Sequence, residues 1–389
     1  MRLRAALLLS LPLLGSGLAA ADEPYEGIRI APGRPGGAPG ATEGQSPAKS
    51  ADQARSLGAK WLEQHQNGDG GWAAGGWGGV EAGSDVATTV IAVQALQRDD
   101  RAGHQAAIRK GIEFVLKAVE SAPKQGPLLN TPRNTQPQYK LGPNVDTHLA
   151  AKLLGDVAND YSGAEKARVL GALDVALVKA QAAQDANGAY ESSGWAPALS
   201  SSFATQGLAR GKELGREVVK DESIARNDDW QRKQLQGQSF DASAGAGVEL
   251  YAVATGLANA TAASGRGEGK AMAPVADAAA ARVSRGDAGF VSGYGSLGGE
   301  EVLSYGMIGD SLRKTDLQKA KDWDGKMGEY LMRVQNGDGS WSGHHCITST
   351  PFTTAAAVMT LGAERTSGPS AMRPVEKPIG NDTWWATVE

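Results

Sequence analysis

The stretch Gln335-Asn336-Gly337-Asp338-Gly339-Ser340-Trp341 has a near copy early in the chain, Gln66-Asn67-Gly68-Asp69-Gly70-Gly71-Trp72. Each copy follows an amphipathic run with the period of a helix, and each precedes a loop and a run rich in small residues and Thr. Asn, Asp and Gly tolerate a positive φ, so the Asn-Gly-Asp-Gly core is typical of a helix end. Recurrence of a pattern in the same context indicates a repeat architecture.

The periodicity around the two copies predicts six helical hairpins, each a polar-faced helix followed by an apolar helix rich in small residues. The predicted pairs are 51–66 with 85–97, 104–120 with 145–158, 164–183 with 201–214, 223–236 with 246–261, 271–284 with 300–313, and 317–334 with 352–362. Six hairpins form either an open solenoid or a closed ring. An open solenoid needs polar terminal repeats, and none is recognisable. The predicted fold is therefore all-α, an α/α toroid with inner and outer helix barrels.

The sequence outside the repeats divides into three further segments. Residues 1–21 combine two arginines, a short apolar run and a small-residue end, which is typical of a secretory signal peptide. We expect a secreted or periplasmic protein with a Pro/Gly-rich leader at 22–50, the toroid domain at 51–362 and a C-terminal tail at 363–389. No other run is long enough for a membrane helix, so we expect no transmembrane segment in the mature chain.

The composition narrows the choice of partners. The 39 Lys and Arg residues against 43 Asp and Glu give a formal net charge of −4. This balance, without a basic stripe, argues against nucleic-acid binding. Cys346 is the only cysteine, so the chain has no disulfide framework. The long predicted loops all join an outer to an inner helix, so they share one end of a ring, and we expect function there.

The repeat resembles a known family motif. Two segments carry it, Trp61-Leu62-x3-Gln66-x3-Gly70-x-Trp72 and Tyr330-Leu331-x3-Gln335-x3-Gly339-x-Trp341, with a degenerate copy at Val178-Lys179-x4-Gln184-x3-Gly188-x-Tyr190. They resemble the QW motif of squalene-hopene and oxidosqualene cyclases, also called the prenyltransferase/squalene oxidase repeat. The resemblance implies the α/α toroid of terpenoid cyclases and protein prenyltransferases. It also implies structural roles for Gln66, Trp72, Gln335 and Trp341, with each glutamine capping a helix and each tryptophan stacking.

The catalytic motifs of those relatives are missing from this sequence. There is no Asp-x-Asp-Asp acid motif, no Asp-Asp-x-x-Asp diphosphate motif and no Gly-Cys-Gly-Glu-Gln thioester. The remaining candidate is the segment His344-His345-Cys346, just before the last inner helix. Protein prenyltransferases place zinc at an Asp-x-Cys pair plus a distant His, and the resemblance transfers Cys346 alone from that set.

Three interpretations of this segment stay open alongside simple packing of Cys346. In an extended segment, His344 and Cys346 point the same way, and ring closure brings Asp85 near them, so these three are candidate zinc ligands. Alternatively, Cys346 is a nucleophile with His345 as its base. The third interpretation is ligand recognition by the histidine rings alone.

Other polar groups on the inner helices suggest further roles. Glu301 and Tyr305 stand four residues apart and share a helix face, so they are candidates for acid–base work on a glycan. A central cavity is predicted to be lined by Asp146, His148, Phe203, Glu249 and Phe352. The leading function is binding of a hydrophobic, terpenoid- or lipid-like ligand, or of an extended peptide, in that cavity. The alternatives are a zinc-dependent prenyltransferase- or cyclase-like enzyme and a polysaccharide-active α/α-barrel enzyme.

Overall fold

A computed structural model describes residues 46–236, 246–285, 290 and 297–362. Within these residues the chain is all-helical, as predicted, with thirteen α-helices, one short 3-10 turn and no strand. The predicted signal peptide, most of the predicted leader and the C-terminal tail fall outside the described residues. No helix in the described part is long and apolar enough to cross a membrane.

Twelve of the helices match the six predicted pairs to within a few residues. In chain order, with each predicted outer helix before its predicted inner partner, they are α1 Ala51–Gln64 and α2 Val86–Asp100, α3 Gln105–Glu120 and α5 Val145–Val157, α6 Gly163–Ala182 and α7 Pro197–Glu213, α8 Asp221–Gln236 and α9 Ala246–Gly265, α10 Gly269–Arg285 and α11 Gly299–Thr315, and α12 Leu317–Arg333 and α13 Thr350–Leu361. The thirteenth helix is short α4, Gln136–Leu141, in the loop before α5.

The two helices of each pair differ in how much of their surface is buried. In α1 the buried residues fall on one face, at Ala54, Arg55, Gly58, Ala59, Trp61 and Leu62. In α13 every residue from Phe352 to Thr360 is buried. A helix that is covered on all sides needs small or apolar residues all round, whereas a surface helix needs only a stripe. Runs such as α2 and α13, which carry small or apolar residues on every side, therefore form covered helices.

The covered helices contact one another in chain order. α2 packs on α5, α5 on α7, α7 on α9, α9 on α11 and α11 on α13, and α13 also packs on α2. The outer helix α1 contacts both α13 and α12, at the other end of the sequence. The first and last hairpins are therefore neighbours in space.

The repeat motif ties each loop to a neighbouring outer helix. The amide of Gln66 donates to the carbonyls of Gly70, at 2.8 Å, and of Ala107 in the first turn of α3, at 2.9 Å. The amide of Gln335 donates in the same way to Gly339, at 2.8 Å, and to Ala54 in α1, at 2.9 Å. The last loop is thus bonded to the first helix.

The motif tryptophans are fully buried and hold the ends of their own helices. Trp72 Nε1 donates to the Leu62 carbonyl at 2.8 Å, and Trp341 Nε1 donates to the Leu331 carbonyl at the same distance. In the degenerate copy, Gln184 donates to the carbonyls of Gly188 and Ser223, in α8. The two glutamine bonds therefore recur in three hairpins, and the tryptophan bond in two of them.

The long loops are joined by hydrogen bonds. The Trp77 amide in the first loop donates to the Asn134 carbonyl in the second, at 2.9 Å. The Gln136 side chain in α4 accepts from the Thr348 amide in the last loop, at 2.8 Å. The Lys140 carbonyl accepts from the Trp195 amide in the third loop, at 2.8 Å. The second loop, which contains α4, is therefore bonded to the first, third and last loops.

Candidate functional site

One group of potential metal ligands stands out in the described residues: Glu300, His345 and Cys346. Each offers one ligand atom, and these atoms lie within 4.8 Å of one another. Glu300 lies in the first turn of α11, and the other two residues lie in the loop before α13. The site therefore forms where two neighbouring covered helices begin.

The backbone around the site is fixed by pairing between two segments. The His344 amide donates to the Leu297 carbonyl at 2.6 Å, and the Gly299 amide donates to the Ile347 carbonyl at 2.9 Å. A Cβ at Gly298 would lie 2.7 Å from Cε1 of His345, so only glycine leaves room for the imidazole ring there. The start of α11 and the His345 ring are therefore packed directly together.

Cys346 has a φ of 55°, in the left-handed region that residues with a side chain rarely adopt. Strained positions of this kind cluster at functional sites. We predicted that His344 and Cys346 point the same way because we expected an extended backbone there. The left-handed conformation of Cys346 interrupts that extended backbone. The close group accordingly contains His345, and it includes neither His344 nor Asp85. Metal binding itself stays a prediction.

Two fully buried carboxylates support the site. Glu300 accepts hydrogen bonds from the Ile347 amide, at 3.1 Å, and from the Tyr251 hydroxyl, at 3.4 Å. Burial raises the pKa of Glu300, while the Cys346 thiol and the Ile347 amide oppose that shift by hydrogen bonding to the carboxylate. Glu301 Oε2 lies 3.2 Å from Nε2 of His345 and accepts from the Gly298 amide at 3.1 Å. Glu301 therefore orients the imidazole.

The site opens toward solvent on one side. His345 and Cys346 are half-buried and His344 is exposed, whereas Glu300 and Glu301 are inaccessible. A small ion or a substrate atom can thus approach the sulfur and the imidazole, with the carboxylates behind them.

Asp85 has a structural position in the first loop. It caps α2 by accepting from the Thr88 amide at 2.8 Å, and it accepts from the Ala74 amide at 2.8 Å. Burial and the nearby carboxylate of Asp146 raise the pKa of Asp85 to about 7. The carboxylate therefore holds the loop to the helix start and is a weak competitor for a metal.

The residues predicted to line a central cavity are all buried: Asp146, His148, Phe203, Glu249 and Phe352. Asp146 accepts from the Ala87 amide at 2.8 Å, and Glu249 forms an ion pair with Arg282. His148 Nδ1 lies 2.9 Å from the Ser200 hydroxyl, and burial lowers the His148 pKa to about 3. None of the five lines the pocket beside Trp230 or the pocket beside Trp195.

Tyr305, the proposed partner of Glu301 in acid–base chemistry, is inaccessible to solvent. Its ring packs edge-on against Trp323 and Tyr330. Burial raises the Tyr305 pKa well above its usual value. A phenol in this environment is a poor proton donor to a ligand at the surface.

Glu300 was not among the candidates from sequence. Its signal was available, because it stands at the start of a covered helix, as Asp85 and Asp146 do. No protein-family model matches this chain, and no curated protein matches it significantly. The resemblance to the prenyltransferase/squalene oxidase repeat therefore rests on the motif residues alone.

Proposed function

We propose that this protein is an exported α/α toroid that binds a zinc-type metal ion through Glu300, His345 and Cys346. In this proposal it is a metal-dependent enzyme of the transferase or cyclase kind. The observation that carries the proposal is the close approach of a carboxylate, an imidazole and a thiol, within 4.8 Å of one another.

The order of helix contacts supports the toroid. Six covered helices each contact the next, and α13 contacts α2. Two hydrogen bonds between the last loop and α1 also support the toroid. Gln335 donates to the Ala54 carbonyl at 2.9 Å, and Trp61 Nε1 donates to Asp338 at 3.1 Å. An open solenoid has no reason to bond its last loop to its first helix.

The donor set fits zinc by its chemistry. Zinc binds sulfur, imidazole nitrogen and carboxylate oxygen, and its catalytic sites use three protein ligands with one open position. Ligating imidazoles usually have a carboxylate on their second nitrogen, which fixes the ring. Because Glu301 engages Nε2 of His345, we assign Nδ1 to the metal. Tyr251 and the Ile347 amide would orient the Glu300 carboxylate.

A zinc ion bound here would act as a Lewis acid toward a substrate atom in the open position. The residues of the chain orient the His345 ligand and keep water away from the buried side of the site. Glu301 holds the His345 ring in one orientation, and the buried carboxylates exclude water behind the site. The partly open side at Cys346 admits a small-molecule or peptide substrate.

Metal analysis tests this proposal on the full chain. We expect about one zinc ion per chain after reconstitution and dialysis. Cys346→Ser and Glu300→Gln should each lose most of the zinc at equal helix content. His344→Ala is the matched control, since that exposed neighbour lies outside the close group, and it should retain zinc. A wild-type chain without zinc, or equal loss in the control, contradicts the proposal.

The same residues favour a second candidate, a thiol nucleophile. Cys346 would attack, His345 would act as its base, and Glu301 would be the third, orienting group. Alkylation of Cys346 by iodoacetamide distinguishes the two. A metal site predicts that zinc slows alkylation and a chelator restores it. A nucleophile predicts alkylation that is indifferent to chelator and slower in His345→Gln.

A further inference from the structure

Three aromatic side chains on three different loops are exposed at one place. Trp77, Tyr139 and Trp195 are 38%, 51% and 58% exposed. Large aromatic rings bury much apolar surface when they pack, so leaving several in water is unfavourable unless they contact a ligand. This cluster, which we call the aromatic patch, shares no residue with the proposed metal site.

The aromatic patch is held rigidly. The rings of Trp77 and Tyr139 stack at 4.1 Å with 7° between their planes. The buried ammonium of Lys140 lies 4.3 Å from the Trp77 ring and 5.4 Å from the Trp195 ring. Cation–π attraction at such distances fixes rings in orientation. The rings therefore need little reordering to receive a ligand.

The loop that carries Trp195 is also fixed. The Glu191 carboxylate accepts from the amides of Asn144, at 2.9 Å, and Ser193, at 3.2 Å. Gly194 has a φ of 100°, and a Cβ there would lie 2.7 Å from the Gly142 amide nitrogen. Tight contact between the second and third loops thus sets the position of the Trp195 side chain.

A pocket of about 480 Å³ lies beside the aromatic patch. That volume is within the range of small-ligand sites. Its walls combine two rings of the patch with amide, guanidinium and hydroxyl side chains, and the lining residues are Leu128, Arg133, Asn134, Gln138, Tyr139, Pro143, Ser193, Gly194 and Trp195. Flat apolar faces and groups that donate and accept hydrogen bonds stand next to each other.

We propose that this pocket binds a glycan chain. A pyranose ring has an apolar C–H face that packs on an aromatic ring and a rim of hydroxyls that pair with side chains such as Asn134 and Ser193. The Arg133 guanidinium is suited to a carboxylate or a pair of hydroxyls on the sugar. A proline-rich peptide also docks on aromatic rings, but it offers few hydroxyls to such polar walls.

Binding is tested with the full-length protein and a panel of soluble glycans: polygalacturonate, alginate, xylan and chitin and cellulose oligomers, with a proline-rich peptide beside them. The readouts are tryptophan fluorescence and affinity gel electrophoresis. We expect at least one glycan to bind. Trp195→Ala and Tyr139→Ala should each weaken its binding about tenfold or more, as for buried aromatic anchors.

Trp230→Ala is the matched control, because Trp230 lines a different pocket, and it should bind the glycan as the wild type does. Helix content and thermal midpoint show that each variant is folded. The proposal is overturned if no glycan in the panel binds, if only the peptide binds, or if Trp195→Ala and Tyr139→Ala bind the glycan unchanged. Removal of zinc should leave glycan binding unaltered, which separates this test from that of the metal site.

Discussion

Gly339 shows what one residue of the repeat contributes. Its φ is 90°, and a Cβ there would lie 2.9 Å from Cβ of Leu57 in α1. Gly70 has a φ of 89° and would meet the Lys110 carbonyl oxygen at 2.7 Å. In both copies the loop backbone runs so close to a neighbouring outer helix that a side chain has no space, and the left-handed conformation favours glycine as well.

Replacing Gly339 by alanine should therefore destabilise the fold. We expect Gly339→Ala to lower the free energy of unfolding by about 1–3 kcal/mol, from backbone strain and the clash with α1. Gly337→Ala is the control, because a Cβ there meets nothing within 4 Å. Urea unfolding measures both variants. Equal stability of the two would show that contact between the last loop and α1 contributes little.

The ligand group shows where sequence reasoning reached its limit at this scale. The sequence drew attention to Cys346 and its two histidines. It did not reveal the conformation of Cys346, because a φ of 55° depends on the pairing of residues 344–347 with residues 297–299. Extended geometry would align His344 with Cys346, but the left-handed residue puts His345 in the group. The place of Glu300 at a helix start could be read from the sequence, but its closeness to Cys346 could not, because that depends on the same pairing.

Buried carboxylates at helix starts are a feature of the covered helices. Asp85 precedes α2, Asp146 lies in the first turn of α5, and Glu300 and Glu301 lie in the first turn of α11. Free amides and the helix dipole favour a negative charge at these positions. Burial acts in the opposite direction and raises the pKa values of Asp85, Asp146 and Glu300. These helix starts therefore bind protons more tightly than exposed carboxylates do.

The contribution of Asp85 to stability should fall as the pH rises through neutrality, whereas buried His148, whose pKa burial lowers to about 3, acts in the opposite direction below about pH 6.5. The Asp85 pKa is about 7 in the folded chain, against 3.8 as its ordinary value. Between these values the folded state binds more protons than the unfolded state, so the stabilisation present below pH 4 is lost as the pH approaches and passes 7. The loss is on the order of a few kcal/mol. Unfolding by urea at several pH values measures it.

Asp146→Asn provides the comparison for this pH dependence. Removing the neighbouring charge should lower the Asp85 pKa, so stability should change less between pH 5 and pH 8 than in the wild type. The asparagine side-chain oxygen can still accept from the Ala87 amide. Parallel pH profiles for the two proteins would argue against coupling between these carboxylates.

Most helices were predictable from the sequence because each forms a run long enough to show the helical period. The amphipathic runs of α1, α3 and α12 identify one covered face, and runs such as α2 and α13 are apolar or small on all sides. Helix α4 was not predicted. It has six residues, with Pro137 in its first turn, and so it is too short to show a helical period. The sequence placed the aromatic residues of the long loops at one end, but it did not show which of them meet in the aromatic patch, since these rings come from three loops.

At the scale of the whole molecule, the contact of α13 with α2 is the feature that distinguishes a ring from an open stack. In an open stack of repeats, each unit touches only its neighbours in sequence and the terminal units fray first. In a ring, every hairpin has two neighbours. The proposed toroid therefore predicts that the first and last hairpins are as stable locally as the others.

Hydrogen exchange measures that claim. We expect the backbone amides of α2 and α13, in the first and last hairpins, to be protected as strongly as those of α5 and α7. Each of these helices is buried along most of its length. Markedly faster exchange in α2 and α13 than in α5 and α7 would favour the open solenoid. Peptide-level exchange followed by mass spectrometry resolves all four helices.

The bond between Gln335 and the Ala54 carbonyl has a consequence for the order of synthesis. The two residues are separated by 281 positions, so the first hairpin acquires this partner only after Gln335 has been synthesised. Local hairpins form early, but contacts of such high sequence separation form late. Until then the small-residue faces of α1 and α2 stay uncovered and open to aggregation or to exchange with a second growing chain. The last hairpin thus covers the first one only after the hairpins between them have been synthesised.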